Sequence, residues 1–189
     1  MKITKLHSLL FAAVLALAIL TPGVAGEKPS SNWQVVLKHE LPLLGHRNWI
    51  VIADAAYPLQ TAPGIQTIAT DADQLEVVKG VLAELAKTQH VKPTIYTDAE
   101  MRFVAEKNAP GIGAYRDGLG KILAGKDVQV LPHEQIIAKL DEAGKTFKVL
   151  LIKTPLTKPY TSVFLQLECG YWNADSEKEL RDAMKSAGK

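Results

Sequence analysis

Within residues 41–58, which read LPLLGHRNWIVIADAAYP, two side chains could carry acid–base chemistry: His46 and Asp54. An imidazole exchanges protons near neutral pH, and a carboxylate can orient it or take a proton itself. Between them lies a five-residue apolar run, 49–53, punctuated by Gly45 before it and Pro58 after it. Such a run reads as a strand buried on both faces. His46 then enters the strand and Asp54 leaves it, and in open α/β sheets ligand chemistry collects where strands leave. Plain structural roles fit the same residues. His46 suits a helix end or the surface, and Asp54 suits an N-cap or a turn. Eight residues of straight strand at about 3.3 Å each would hold the two more than about 20 Å apart. A site using both needs either a chain that folds back or a second copy of the chain.

The elements that must position these groups alternate between strand and helix. Ser31-Asn32 caps a short helix, 33–39, which Pro42 stops, and Gly45 suits a left-handed exit. After the strand, 57–64 reads as a loop rich in Pro and Gly. Asp71 and Gln74 have the spacing of a capping box, opening a helix to about residue 87. Its Leu75, Val78, Leu82 and Leu85 form one buried stripe. A short strand at 93–96 is followed by a second capping box, Thr97 and Glu100, and a helix to about 107. The glycines at 111, 113, 118 and 120 lack the spacing of a phosphate loop and read as a flexible loop before a short helix. A strand at 127–131 leads into Pro132-His133-Glu134-Gln135, the start of a helix ending near Ala143. On its own His133 reads as an ordinary first-turn histidine. The last strands are 147–152 and 163–167, with a helix over 175–185 beyond them.

Composition narrows the class. A chain of 189 residues suits one domain with a substantial core. Residues 1–26 read as a signal peptide: Lys2 and Lys5, an unbroken apolar run at 9–20, then small residues at a cleavage site. The run is too short to span a bilayer, so no membrane partner is expected. Without this leader the formal charge falls from +2 to zero, with 20 basic and 20 acidic residues. A neutral chain lacking a basic block argues against nucleic acid as a partner. The lone cysteine, Cys169, excludes an internal disulfide and reads as a buried, inert thiol. Four histidines remain, none at metal-ligand spacing, so no metal is expected, and without a Gly-x-Ser-x-Gly elbow neither is a serine hydrolase.

The motif G-H-x-[DN]-x-[IVL]-x-[IV]-x-D-A-x-x-P, residues 45–58, resembles the ribose pyranase and fucose mutarotase (RbsD/FucU-like) family of sugar-ring isomerases. His-Glu-Gln at 133–135 and Pro159-Tyr160 before the last strand extend the resemblance, which spans roughly residues 33–172. It implies an α/β fold in one three-layer domain, 31–189, with a central mostly parallel sheet flanked by helices and a C-terminal extension from about residue 173. It implies a free monosaccharide such as ribose or fucose as the partner, and sites shared between copies in a homopentamer or homodecamer. His46 is then the acid/base group that opens the hemiacetal ring, a reaction needing no metal and no other cofactor, and Asp54 orients it or holds a sugar hydroxyl. His133 matches the second active-site histidine, Tyr160 the ligand-binding tyrosine, and Ser162 and Asn48 stand at further sugar-contacting positions.

Three departures bear on activity. Asn48 replaces an aspartate, Ser162 replaces an asparagine, and Leu156 replaces an acidic residue of the preceding loop. They favour an alternative reading, a non-catalytic monosaccharide-binding or scaffold protein with the same fold. The leader is also unusual for the family, and it implies a secreted or periplasmic protein. Intact-mass measurement of exported protein should find a chain beginning at Gly26 or Glu27. Full-length protein retained in the cytoplasm would contradict the export reading.

Overall fold

The computed structural model describes residues 32–188, so the leader expected at 1–26 lies outside the described residues. The chain runs α1 (Trp33–Glu40), β1 (Trp49–Ala53), β2 (Ile65–Ala69), α2 (Gln74–Leu85), β3 (Val91–Asp98), α3 (Ile112–Leu123), β4 (Val128–Leu131), α4 (His133–Gly144), β5 (Val149–Lys153), β6 (Val163–Cys169) and α5 (Ala174–Ala187). Short 3-10 turns follow α1 and β3. The six strands form one sheet in the order β2-β5-β1-β6-β3-β4. Parallel pairing joins β1 to β5, β2 to β5 and β3 to β4, while β6 lies antiparallel between β1 and β3. Five strands therefore leave the sheet at one edge, and β6 enters it there.

Helices cover both faces, giving the expected three layers. Trp33 and Leu37 of α1, Val77, Val78 and Val81 of α2, and Ile112 and Leu119 of α3 pack on Ile50, Ile52, Leu165 and Ile152. The alternate strand residues, Trp49, Val51, Phe164 and Leu151, pack against Ile136 and Leu140 of α4. All five residues of β1 are buried, as a continuous apolar run in a doubly covered strand requires. Among the described residues no helix is long and apolar enough to cross a membrane.

Several local expectations are corrected. The loop expected before α2 contains β2, whose half-buried residues pair with β5 at the sheet edge. The Asp71–Gln74 capping box does not form. Asp73 caps α2 by accepting from the Leu75 and Glu76 N–H groups, and Gln74 turns inward instead. The Thr97–Glu100 box is absent because β3 continues to Asp98, where its pairing with β4 outweighs local capping. Gly45 is not left-handed; Arg47 takes that conformation, at φ 76°, with its guanidinium 4.3 Å from the Phe147 ring centre. The glycines at 113, 118 and 120 lie inside α3, whose start is held by Glu106 accepting from the Gly111 and Gly113 N–H groups. Cys169 is half-buried. The helix beyond residue 173 forms, yet it buries none of its residues.

Gly80 sets the approach of α1 to α2. A Cβ there would stand 2.5 Å from Trp33 Cη2, the far end of an indole that is itself buried. Alanine should favour the isolated helix by about 1 kcal/mol, but overpacking costs about 1–3 kcal/mol. Gly80→Ala should therefore lower the thermal midpoint; an unchanged or raised midpoint would show that this contact is slack.

Candidate functional site

The edge where five strands leave gathers polar groups. Asp54 follows β1, Asp98 ends β3, His133 opens α4 just after β4, and Ser162 precedes β6. Asp54 Oδ1 accepts the Ala56 N–H at 2.9 Å, and Oδ2 accepts the Ser162 hydroxyl at 3.1 Å. Ser162 is 1% exposed, so its hydroxyl serves Asp54 and does not face the opening. His133 Nδ1 stands 3.1 Å from Asp98 Oδ1, whose side chain is inaccessible to solvent. The two atoms are close enough to pair but lie off the hydrogen-bond line, so neither has a well-aligned partner. Burial pushes the Asp98 carboxyl up to about 6, against the lowering effect of His133, with Glu100 and Asp54 adding repulsion.

Glu100 sits in the 3-10 turn after β3 and has a distinct job. Both of its carboxylate oxygens accept the His133 backbone N–H, at 3.1 and 3.0 Å. Pro132, the N-cap residue of α4, has no side-chain donor or acceptor to offer. Glu100 thus supplies the cap from 33 residues away, and a carboxylate there also suits the helix dipole. The cap fixes the backbone from which the imidazole projects.

Tyr160 completes the wall. Its ring meets His133 edge-on, with centres 5.6 Å apart and planes at 80°. Tyr160 adopts φ 58°, a left-handed conformation that costs a non-glycine residue about 1–2 kcal/mol. Asp54, Tyr57, Gln60, His133, Asp141 and Tyr160 line a cavity of about 420 Å³. Burial pushes the Tyr57 phenol well up, so it remains protonated and can donate. Gln60 donates to Asp141 at 2.8 Å. The lining holds carboxylates, amide, phenols and one imidazole, and no lysine or arginine. A neutral polyhydroxylated molecule fits that chemistry: acceptors for hydroxyls, a ring for an apolar sugar face and a proton carrier. A larger groove of about 610 Å³ runs beside Arg47, Trp49, Lys139 and Phe147, but it has no histidine and no buried carboxylate.

Of the residues singled out in the sequence, Asp54, His133, Tyr160 and Ser162 come together here; His46 and Asn48 do not. His46 lies at the opposite sheet edge, 55% exposed, with Nδ1 3.2 Å from Glu168 Oε2. Asn48 accepts the Gly45 N–H at 2.7 Å and donates to the Lys148 carbonyl at 3.2 Å, pinning the turn into β1. The straight strand thus keeps His46 and Asp54 apart within one subunit. Asp98 and Glu100 were missed as site residues. Asp98 carries the same signal as Asp54, an acid just where a strand ends, but the short expected strand hid it.

Residues 34–169 match the RbsD / FucU transport protein family. Among solved structures, the chain is similar to Bacillus subtilis RbsD complexed with D-ribose, at 20% identity and a TM-score of 0.51, covering 73% of this chain and 93% of that one. FucU from Bifidobacterium longum aligns at 16% identity and a TM-score of 0.47, covering 70% and 92%. The fucose mutarotase from Streptococcus pneumoniae in complex with L-fucose aligns at 20% and 0.46, covering 69% and 89%. No curated protein is significantly similar in sequence.

Burial of Asp98 has a pH signature. Its carboxyl is raised from 3.8 to about 6 in the folded chain, so the folded state holds this proton more tightly than the unfolded one. Below about pH 4 no cost arises; as pH rises to about 6 the unfolded chain ionises first and stability is lost. Relative to Asp98→Asn, the native protein should lose up to about 3 kcal/mol across that window. Urea unfolding at several pH values measures the difference. A gap that stays flat with pH would show that Asp98 is not held in this way.

Proposed function

Since the chain belongs to the RbsD / FucU transport protein family, we propose that it binds a free monosaccharide and speeds interconversion of its cyclic forms. The observation that carries this reading is His133, with the buried Asp98 behind it, in a cavity free of lysine and arginine and also lined by Asp54 and Tyr160. With Nδ1 occupied beside the Asp98 carboxyl, Nε2 of His133 is the nitrogen left to exchange a proton with bound sugar. Ring opening needs a base to take the anomeric hydroxyl proton and an acid to protonate the ring oxygen as the C–O bond breaks. Closure on the other face of the carbonyl returns both protons, and nothing is oxidised or reduced.

His46 is the second proton carrier, supplied by a neighbouring copy. Its exposure at the far edge of β1 supports that role, because a straight strand cannot deliver it to its own subunit's cavity. The mature protein is on this reading a cyclic pentamer or a decamer, in which each copy lends His46 to the next and no open end remains. It is exported by its leader and works outside the cytoplasm. The alternative, sugar binding without catalysis, draws support from Asn48, Ser162 and Leu156: the first two make structural hydrogen bonds and the third offers no carboxylate.

His46→Ala should reduce anomer exchange by roughly 10²- to 10⁴-fold, with little change in thermal stability because the side chain is largely exposed. Mixing His46→Ala with His133→Asn subunits should restore part of the rate through hybrid sites. A stable monomer that still catalyses exchange would contradict the shared site. Sugar binding with no acceleration in the native protein would favour the non-catalytic reading.

A further inference from the structure

A buried amide joins the two ends of the loop between β5 and β6. Gln74, the first residue of α2, has its side chain in the interior with Tyr115, Thr154 and Thr161, all four buried. Its Nε2 donates to the Thr161 carbonyl at 2.6 Å and to the Tyr115 hydroxyl at 2.9 Å. Its Oε1 accepts the Thr154 hydroxyl at 2.7 Å. The Tyr115 hydroxyl in turn donates to the same Thr161 carbonyl at 2.7 Å. One side chain therefore grips both ends of the loop between β5 and β6, which carries Tyr160. The carbonyl receiving two buried donors belongs to the residue next to Tyr160, where the backbone is left-handed. On the other side of that turn the Thr161 hydroxyl donates to the Lys158 carbonyl at 2.8 Å.

We propose that Gln74 is a positioning residue for Tyr160: its amide clamps Thr154 to Thr161 and holds the ring against His133 in the binding geometry. This rests on the reading of the cavity as a monosaccharide site. Nothing in the helix itself calls for a buried amide at that place, since Asp73 already caps α2. Every polar atom of the cluster finds a partner, as a buried network that specifies one conformation requires. Burial also keeps the Tyr115 phenol protonated, so its donation to Thr161 persists at any moderate pH. Without the clamp Tyr160 is free to leave its left-handed conformation, and its ring swings away from the imidazole.

Amide hydrogen exchange and anomer-exchange kinetics on the mature chain test this with Tyr115→Phe, Thr154→Val and Thr154→Ser. In Tyr115→Phe and Thr154→Val, amides of residues 157–162 should exchange at least about tenfold faster, while those of β1 and β5 keep their protection. The KM for sugar should rise about tenfold with kcat changed less than about threefold, because the ring binds without moving protons. Thr154→Ser keeps the hydroxyl and should restore both. Unchanged loop exchange, or loop and core loosening together, would overturn the clamp. A loosened loop with unaltered KM would overturn its role in positioning while leaving the cavity's function standing. Native protein that accelerates no sugar would remove the catalytic reading, and the exchange data would still decide whether the clamp exists.

Discussion

The reversed strand β6 is the constraint on which the site depends. Had it run with its neighbours, its start would lie at the edge where His46 sits. Because it runs against β1 and β3, the chain must turn back after β5 at the edge where five strands end. That turn delivers Tyr160 and Ser162 beside Asp54, Asp98 and His133. A mixed sheet with one central antiparallel strand thus does what a topological switch point does in parallel sheets: it leaves a crevice lined by strand ends. The hydrogen bond from Ser162 to Asp54 ties the first residue before β6 to the first residue after β1.

Asp98 is the costly element of this arrangement. A carboxylate with no exposed surface loses hydration, and one imidazole at 3.1 Å returns only part of it. On the proposed function, a carboxyl raised toward neutrality by burial beside a histidine suits proton transfer. Glu100 makes the placement exact in another way, by holding the backbone of His133 while Asp98 faces its ring. The buried amide of Gln74 does for Tyr160 what Glu100 does for His133. Both side chains that line the cavity are thereby held from behind by residues that do not line it.

The fold was legible where patterns were strong. The buried run of β1, the amphipathic stripe of α2 and the strand-to-helix turn at His133 all follow from periodicity and punctuation. The difficulty over His46 and Asp54 was legible too, since eight residues of strand cannot bend to meet. What stayed hidden depended on partners distant in sequence. Strand β2 has no alternation, and it forms because β5 offers it an edge. Asp98 was obscured because Thr97 and Glu100 imitate a local cap, whereas pairing with β4 keeps the chain extended and frees Glu100 for a helix 33 residues on. Ser162 and Asn48 stood at sugar-contacting positions by resemblance, and the structure gives their polar atoms to Asp54, Gly45 and Lys148 instead.

On the proposed function, His133, backed by Asp98, moves protons on a sugar bound in this cavity. Saturation-transfer NMR of anomer exchange in free ribose and fucose, with native protein and with His133→Asn, tests it most directly. Exchange should run well above the buffer rate with native protein, and His133→Asn should reduce it by about 10²-fold or more while the chain remains folded. Exchange equally fast in His133→Asn, or no faster than buffer with the native protein, would contradict it.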